Sequence, residues 1–163
     1  MPLQVLLHQS EKIEPVDVPL LSEVLQQMAA DAGVEEGRMS VAILSDPEIR
    51  EVNRSYLQHD YETDVISFDL SDDDVFLDGE LVLSADTARR MANDVGWAPQ
   101  AELLLYAIHG MLHVLGYEDD TDENRDEMRR MEAHYLKRFR IQGWEKHPTQ
   151  GEAEPDSKVD EKG

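Results

Sequence analysis

The run Leu104-Leu105-Tyr106-Ala107-Ile108-His109-Gly110-Met111-Leu112-His113-Val114-Leu115-Gly116-Tyr117-Glu118-Asp119 carries the decisive reading of this chain. Leu104, Leu105, Ile108, Leu112 and Leu115 recur at helical spacing, which predicts a central, largely buried helix over 99–115. His109 and His113, at i and i+4, share the edge of that apolar stripe. Their Cβ atoms lie about 6 Å apart on such a helix, a reach that lets both imidazoles close on one ion. Gly116 suits the left-handed conformation that ends a helix and turns the chain back toward the pair. Asp119 then arrives where a third ligand is needed, with Glu118 and Asp120 flanking it as alternatives. Three protein ligands on a zinc-sized ion leave a fourth position open, the arrangement of a catalytic site.

Working outward, segments 3–8, 39–44, 65–70 and 80–84 read as strands. A helix over 19–32 carries Leu21, Val24, Leu25, Met28 and Ala29 on one face and is closed by Gly33. Asp46 and Pro47 read as an N-cap and first helical residue for a helix over 46–57. A further helix spans 85–95. The last, over 122–140, turns Met128, Met131, Tyr135, Leu136 and Phe139 inward as core. The acidic link 71–78 lacks the spacing and central glycine of a calcium loop and reads as a solvated turn. These elements predict an α+β fold: a small mixed four-stranded sheet packed with about five helices, the metal-binding helix central. Residues 1–146 read as one domain and 147–163 as a disordered acidic tail. His8, His134 and His147 stand alone and receive no chemistry.

Composition limits the function classes. The chain has 163 residues and no cysteine, so any metal must be held by imidazole and carboxylate. No run is apolar enough to cross a bilayer and no signal peptide is visible, so a cytoplasmic protein without a membrane partner is expected. The net charge of −21, from 36 acidic against 15 basic residues, argues against tight non-specific binding to RNA. The densest basic group, Arg125, Arg129, Arg130, Lys137, Arg138 and Arg140, reads as a solvated helix face paired with Asp126, Glu127 and Glu132.

The segment His-Gly-x-Leu-His-x-x-Gly-Tyr at 109–117 resembles that of the YbeY family of bacterial metallo-endoribonucleases. The resemblance extends through Asn53-x-x-Tyr56, Asp60, Thr63-Asp64-Val65-Ile66-Ser67-Phe68, Gly79-Glu80-Leu81-Val82-Leu83-Ser84, Met128 and Glu132, in order along the chain. It implies a zinc-dependent, single-strand-specific endoribonuclease acting in ribosomal RNA maturation and ribosome quality control. Its partners would be single-stranded ribosomal RNA and the small ribosomal subunit, with no DNA expected. The metal ligands would be His109, His113 and Asp119, the last standing where the family usually has histidine. An added carboxylate makes the site more negative and weakens the Lewis acidity of its ion. Leu57 stands at the family's catalytic arginine, with His59 and Glu62 at the following lysine and proline. Arg54, one turn before Leu57, and His59 are the candidate phosphate contacts, and Glu80 the candidate proton acceptor. Gly110 occupies the place of the general-base glutamate of zinc metalloproteases and excludes that chemistry. Leu57 and the net charge favour an alternative reading, a catalytically weak or inert metal-binding ribosome assembly factor. A hydrolase acting on a small substrate comes third.

Overall fold

Period-two alternation builds the sheet. In β2 (Glu36–Leu44) Gly37, Met39, Val41 and Ile43 are buried on one face, while Arg38, Ser40 and Ala42 point to the other. β1 (Leu3–Gln9) and β4 (Phe76–Ser84) run parallel to β2 on either side, and β3 (Val65–Asp69) closes the sheet antiparallel to β4, giving the order β1-β2-β4-β3. The computed structural model describes residues 3–57, 64–72 and 76–147. Among these, no helix is long and apolar enough to cross a membrane.

Among the described residues five helices accompany the sheet: α1 (Val18–Asp31), α2 (Asp46–Leu57), α3 (Ala85–Val95), α4 (Pro99–Val114) and α5 (Asp122–Arg138). The expected α+β architecture is the one observed. α1 buries Leu21, Val24, Leu25, Met28 and Ala29, the face read from its periodicity. α2 covers the opposite side of the sheet, where Ile49, Ile66 and Val82 form a small second core.

α4 is the centre of the molecule. Of its residues only Pro99, Gln100, His109 and His113 escape full burial. Gly110 makes this seat possible, because a Cβ there would lie 2.8 Å from Leu81 Cδ2 and 3.1 Å from Val65 Cγ2. The glycine is thus a packing device, and a glutamate at this position has no room.

Three details differ from the sequence reading. α2 is capped by Ser45, not Asp46: the Ser45 backbone N–H donates to Glu48 at 2.8 Å, and the Glu48 N–H donates back to Ser45 Oγ at 3.4 Å. Asp46 instead collects Ser84 Oγ at 2.6 Å, Thr87 Oγ1 at 2.8 Å and Arg90 at 2.6 Å, tying α2 to the start of α3. β4 starts at Phe76, not 80: its pairing with β2 begins at Phe76 opposite Glu36, and Arg38 pairs with Asp78 across it at 2.9 Å. His147, read as isolated at the head of a tail, is 6% exposed and follows a short 3-10 turn (Trp144–Lys146). Its Nε2 lies 3.3 Å from Glu102, and its ring lies 5.3 Å from that of Trp97. The remainder of the expected tail, 148–163, lies outside the described residues.

Gly110→Val is expected to destabilise the fold by about 1–3 kcal/mol, because its Cβ and two methyl groups must displace Leu81 and Val65 in a packed layer. An unchanged urea midpoint for this variant would refute the close approach.

Candidate metal centre

α4 presents His109 and His113 through one window in an otherwise buried surface, their side chains 29% and 30% exposed. The helix ends in a Schellman turn: Gly116, at φ 106°, donates to His113 O at 3.0 Å, and Tyr117 donates to Leu112 O at 2.9 Å. The turn sends the chain back beside the histidines. Arg125 then donates to the Asp119 carbonyl at 3.1 Å and fixes the returning loop against α5.

The result is a triangle of ligand atoms. His109 Nε2 and His113 Nε2 are 3.1 Å apart, and Asp119 Oδ2 is 3.6 Å from the first and 3.3 Å from the second. Metal bonds of about 2.0–2.1 Å in a tetrahedron require ligand separations of about 3.3 Å, which these distances straddle. His109, His113 and Asp119 therefore fit a zinc-sized divalent ion. Of the three acidic neighbours, Asp119 is the one that converges; Asp120 accepts from Asn124 at 2.7 Å, and Glu118 is exposed.

Glu132 completes the site and was missed in the sequence as a site residue. It is 4% exposed, and its Oε2 accepts from His109 Nδ1 at 2.7 Å. With its proton held on Nδ1, His109 turns the lone pair of Nε2 toward the ion position. The signal was present: Glu132 falls on the inward stripe of α5 with Met128, Tyr135 and Leu136, where a charge needs a buried partner. Reading it as a surface partner for nearby arginines was incorrect.

Asp64, just before β3, is a second unforeseen contributor. Its carboxylate accepts from the Val65 N–H at 2.7 Å, and its charge acts on His109. Burial opposes protonation of His109, but the Glu132 hydrogen bond and the charges of Glu132, Asp119 and Asp64 outweigh it, raising the pKa above the ordinary imidazole value.

The other sequence candidates are not gathered here. Arg54 lies on the exposed side of α2 in an ion pair with Glu51. Glu80 alternates with Gly79 and Leu81, the residues that meet α4, and so faces the α2 side of the sheet. His59 lies outside the described residues.

Fold and site together define an α+β domain with a half-open cluster of three groups suited to a metal ion. The profile of the family described as Endoribonuclease YbeY matches residues 7–140, and the chain belongs to that family. An Endoribonuclease YbeY of Rhodopirellula baltica is 40% identical over 124 residues, covering 75% of this chain and 64% of that protein, so the match spans under two thirds of the relative's length. One from Chlorobaculum tepidum is 36% identical over 140 residues, covering 86% of this chain and 99% of its own. A solution structure of a Thermotoga maritima protein shares the fold with a TM-score of 0.60 at 23% identity, covering 95% of this chain and 99% of that one.

Glu132→Ala is expected to weaken zinc binding about 10- to 100-fold, with partial recovery in Glu132→Gln, whose amide oxygen still accepts from Nδ1. Competition with a chelating dye measures both. Because the raised pKa of His109 means a tightly held proton, zinc affinity should be full above that pKa and fall as pH drops through it. The slope should be about tenfold per pH unit for each displaced proton. A pH-independent affinity would exclude His109 as a ligand.

Proposed function

We propose that this protein is a zinc-dependent endoribonuclease that cuts single-stranded RNA and serves ribosomal RNA maturation and quality control on the small ribosomal subunit, in the cytoplasm. The carrying observation is the convergence of His109, His113 and Asp119 in a chain of the YbeY family, whose relatives are described as endoribonucleases. These three residues would hold the ion. Such an ion supplies Lewis acidity, offsetting charge on phosphoryl oxygens and making water more acidic.

The chain's own residues set how that chemistry is delivered. Glu132 keeps the imidazole of His109 in one tautomer and one orientation, so the ligand triangle is preorganised. The Schellman turn at Gly116 and the Arg125 hydrogen bond hold Asp119 on the open side. Asp64, Asp119 and Glu132 surround the histidines with negative charge, favouring a bound cation and disfavouring phosphate everywhere except at that cation. RNA is thereby directed to the centre itself, not gripped by a basic surface.

Leu57 and the charge of −21 support a second reading, a ribosome assembly factor whose metal site is weakly active or inert. Incubating single-stranded RNA with zinc-loaded protein, chelator-treated protein and His109→Ala/His113→Ala separates the two. Cleavage by the first sample alone is the expected outcome. Absence of cleavage in all three, with small-subunit association retained, would put the assembly-factor reading first.

A further inference from the structure

β3 is an edge strand, and its free edge runs beside the metal centre. Ser84 N donates to Asp64 O at 3.0 Å, and Leu70 N donates to Asp78 O at 2.7 Å, fixing the even-numbered residues as those bonded to β4. The backbone groups of Val65, Ser67 and Asp69 must then point away from the sheet. The Val65 N–H is taken by the Asp64 carboxylate. The Val65 carbonyl and the Ser67 N–H bond to nothing among the described residues.

The position of this edge follows from packing. Val114 meets the Gly79 position next to Met39 of β2, while Gly110 sits over Leu81 and Val65. On the helical wheel His109 and His113 lie to the other side of Gly110 from Met111 and Val114, so they overhang β3. α4 runs antiparallel to β4 and hence along β3. At about 3.3 Å per strand residue against 1.5 Å per helical residue, Ser67 lies abreast of the His113 turn.

What would such an edge hold? Resting on the ribonuclease reading, the substrate is single-stranded RNA whose cleaved bond sits at the metal centre. Asp64 and Asp119 border this cleft, so among the described residues phosphates flanking that bond find no cationic seat on it. An uncharged grip is left, and the pairing edge of every base offers an adjacent donor and acceptor. The Val65 carbonyl and Ser67 N–H, two residues apart on one edge, present the complementary acceptor and donor. We propose that the outer edge of β3 binds a base of the RNA next to the cleaved bond, the Ser67 N–H donating to the base and the Val65 carbonyl accepting from it.

Ser67→Pro removes the outward donor without touching the ladder to β4, a substitution that edge strands tolerate. Ser67→Ala keeps the N–H and serves as the control. Zinc-loaded proteins are titrated with a fluorescein-labelled RNA decamer and with the same decamer made abasic at each position in turn. Wild type and Ser67→Ala should lose about fivefold in affinity at one abasic position; Ser67→Pro should bind intact RNA about fivefold more weakly and be insensitive to that position. Equal sensitivity of Ser67→Pro and wild type at every position overturns the proposal, and continued binding and cutting of RNA would leave the ribonuclease reading intact. No binding of any RNA by wild type removes both. A measurement without substitution decides the matter should the proline variant fail to fold. The Ser67 amide resonance of the wild type should shift with intact decamer and not with the decamer abasic at the sensitive position; an unmoved resonance overturns the proposal.

Discussion

The contact on which the rest depends is the seat of α4 on the sheet at Gly110. With no Cβ in the way, the helix settles against Leu81 and Val65 and can bury Leu104, Ile108, Met111 and Leu112 while still lying along the edge strand. A helix held further off would leave a gap between β3 and the flank that bears His109 and His113, and the Asp64 charge would act on His109 from further away. Close packing therefore does chemical work. It brings the edge of the sheet, Asp64 and the cluster of His109, His113 and Asp119 to one side of the helix, and it does so at the position where a metalloprotease would need a glutamate.

Negative charge, which from composition alone counts against an RNA-directed role, has a local use. A cluster of two imidazoles and one carboxylate, with Glu132 behind and Asp64 beside it, is suited to a cation. In such a field an anion is attracted only where a bound cation offsets the carboxylates. The charge that looks unfavourable over the whole chain is thus favourable to a cation in the space around His109.

Much of this was legible in the sequence because it depends on local spacing. The i, i+4 histidines, the glycine that turns the helix end and Asp119 three residues later all act within one turn and its exit. The inward face of α1 and the apolar part of that of α5 follow from period alone. What was not legible depends on the partner across a contact. Glu132 reads as a surface acid until α5 is laid against His109. Glu80 reads as a cleft residue until the alternation of β4 is anchored by the packing of Gly79 and Leu81. The Ser45–Glu48 capping box was visible but lost to the neighbouring Asp-Pro pair, which offers a similar signal one residue later.

Among the described residues α4 meets carboxylate–histidine pairing at two places, and the difference between them explains why only one marks a site. Near its start Glu102, 1% exposed, faces His147 at 3.3 Å and takes the indole N–H of Trp97 at 2.7 Å. Both side chains are sealed inside, and the pair holds the chain after α5 against the loop before α4. At His109 the carboxylate binds the rear nitrogen of a ring whose front nitrogen faces a second imidazole, a second carboxylate and solvent. The same two chemical groups act as a clasp when closed on all sides and as a ligand support when one side is open. Access and convergence, more than residue type, separate structure from function along this helix.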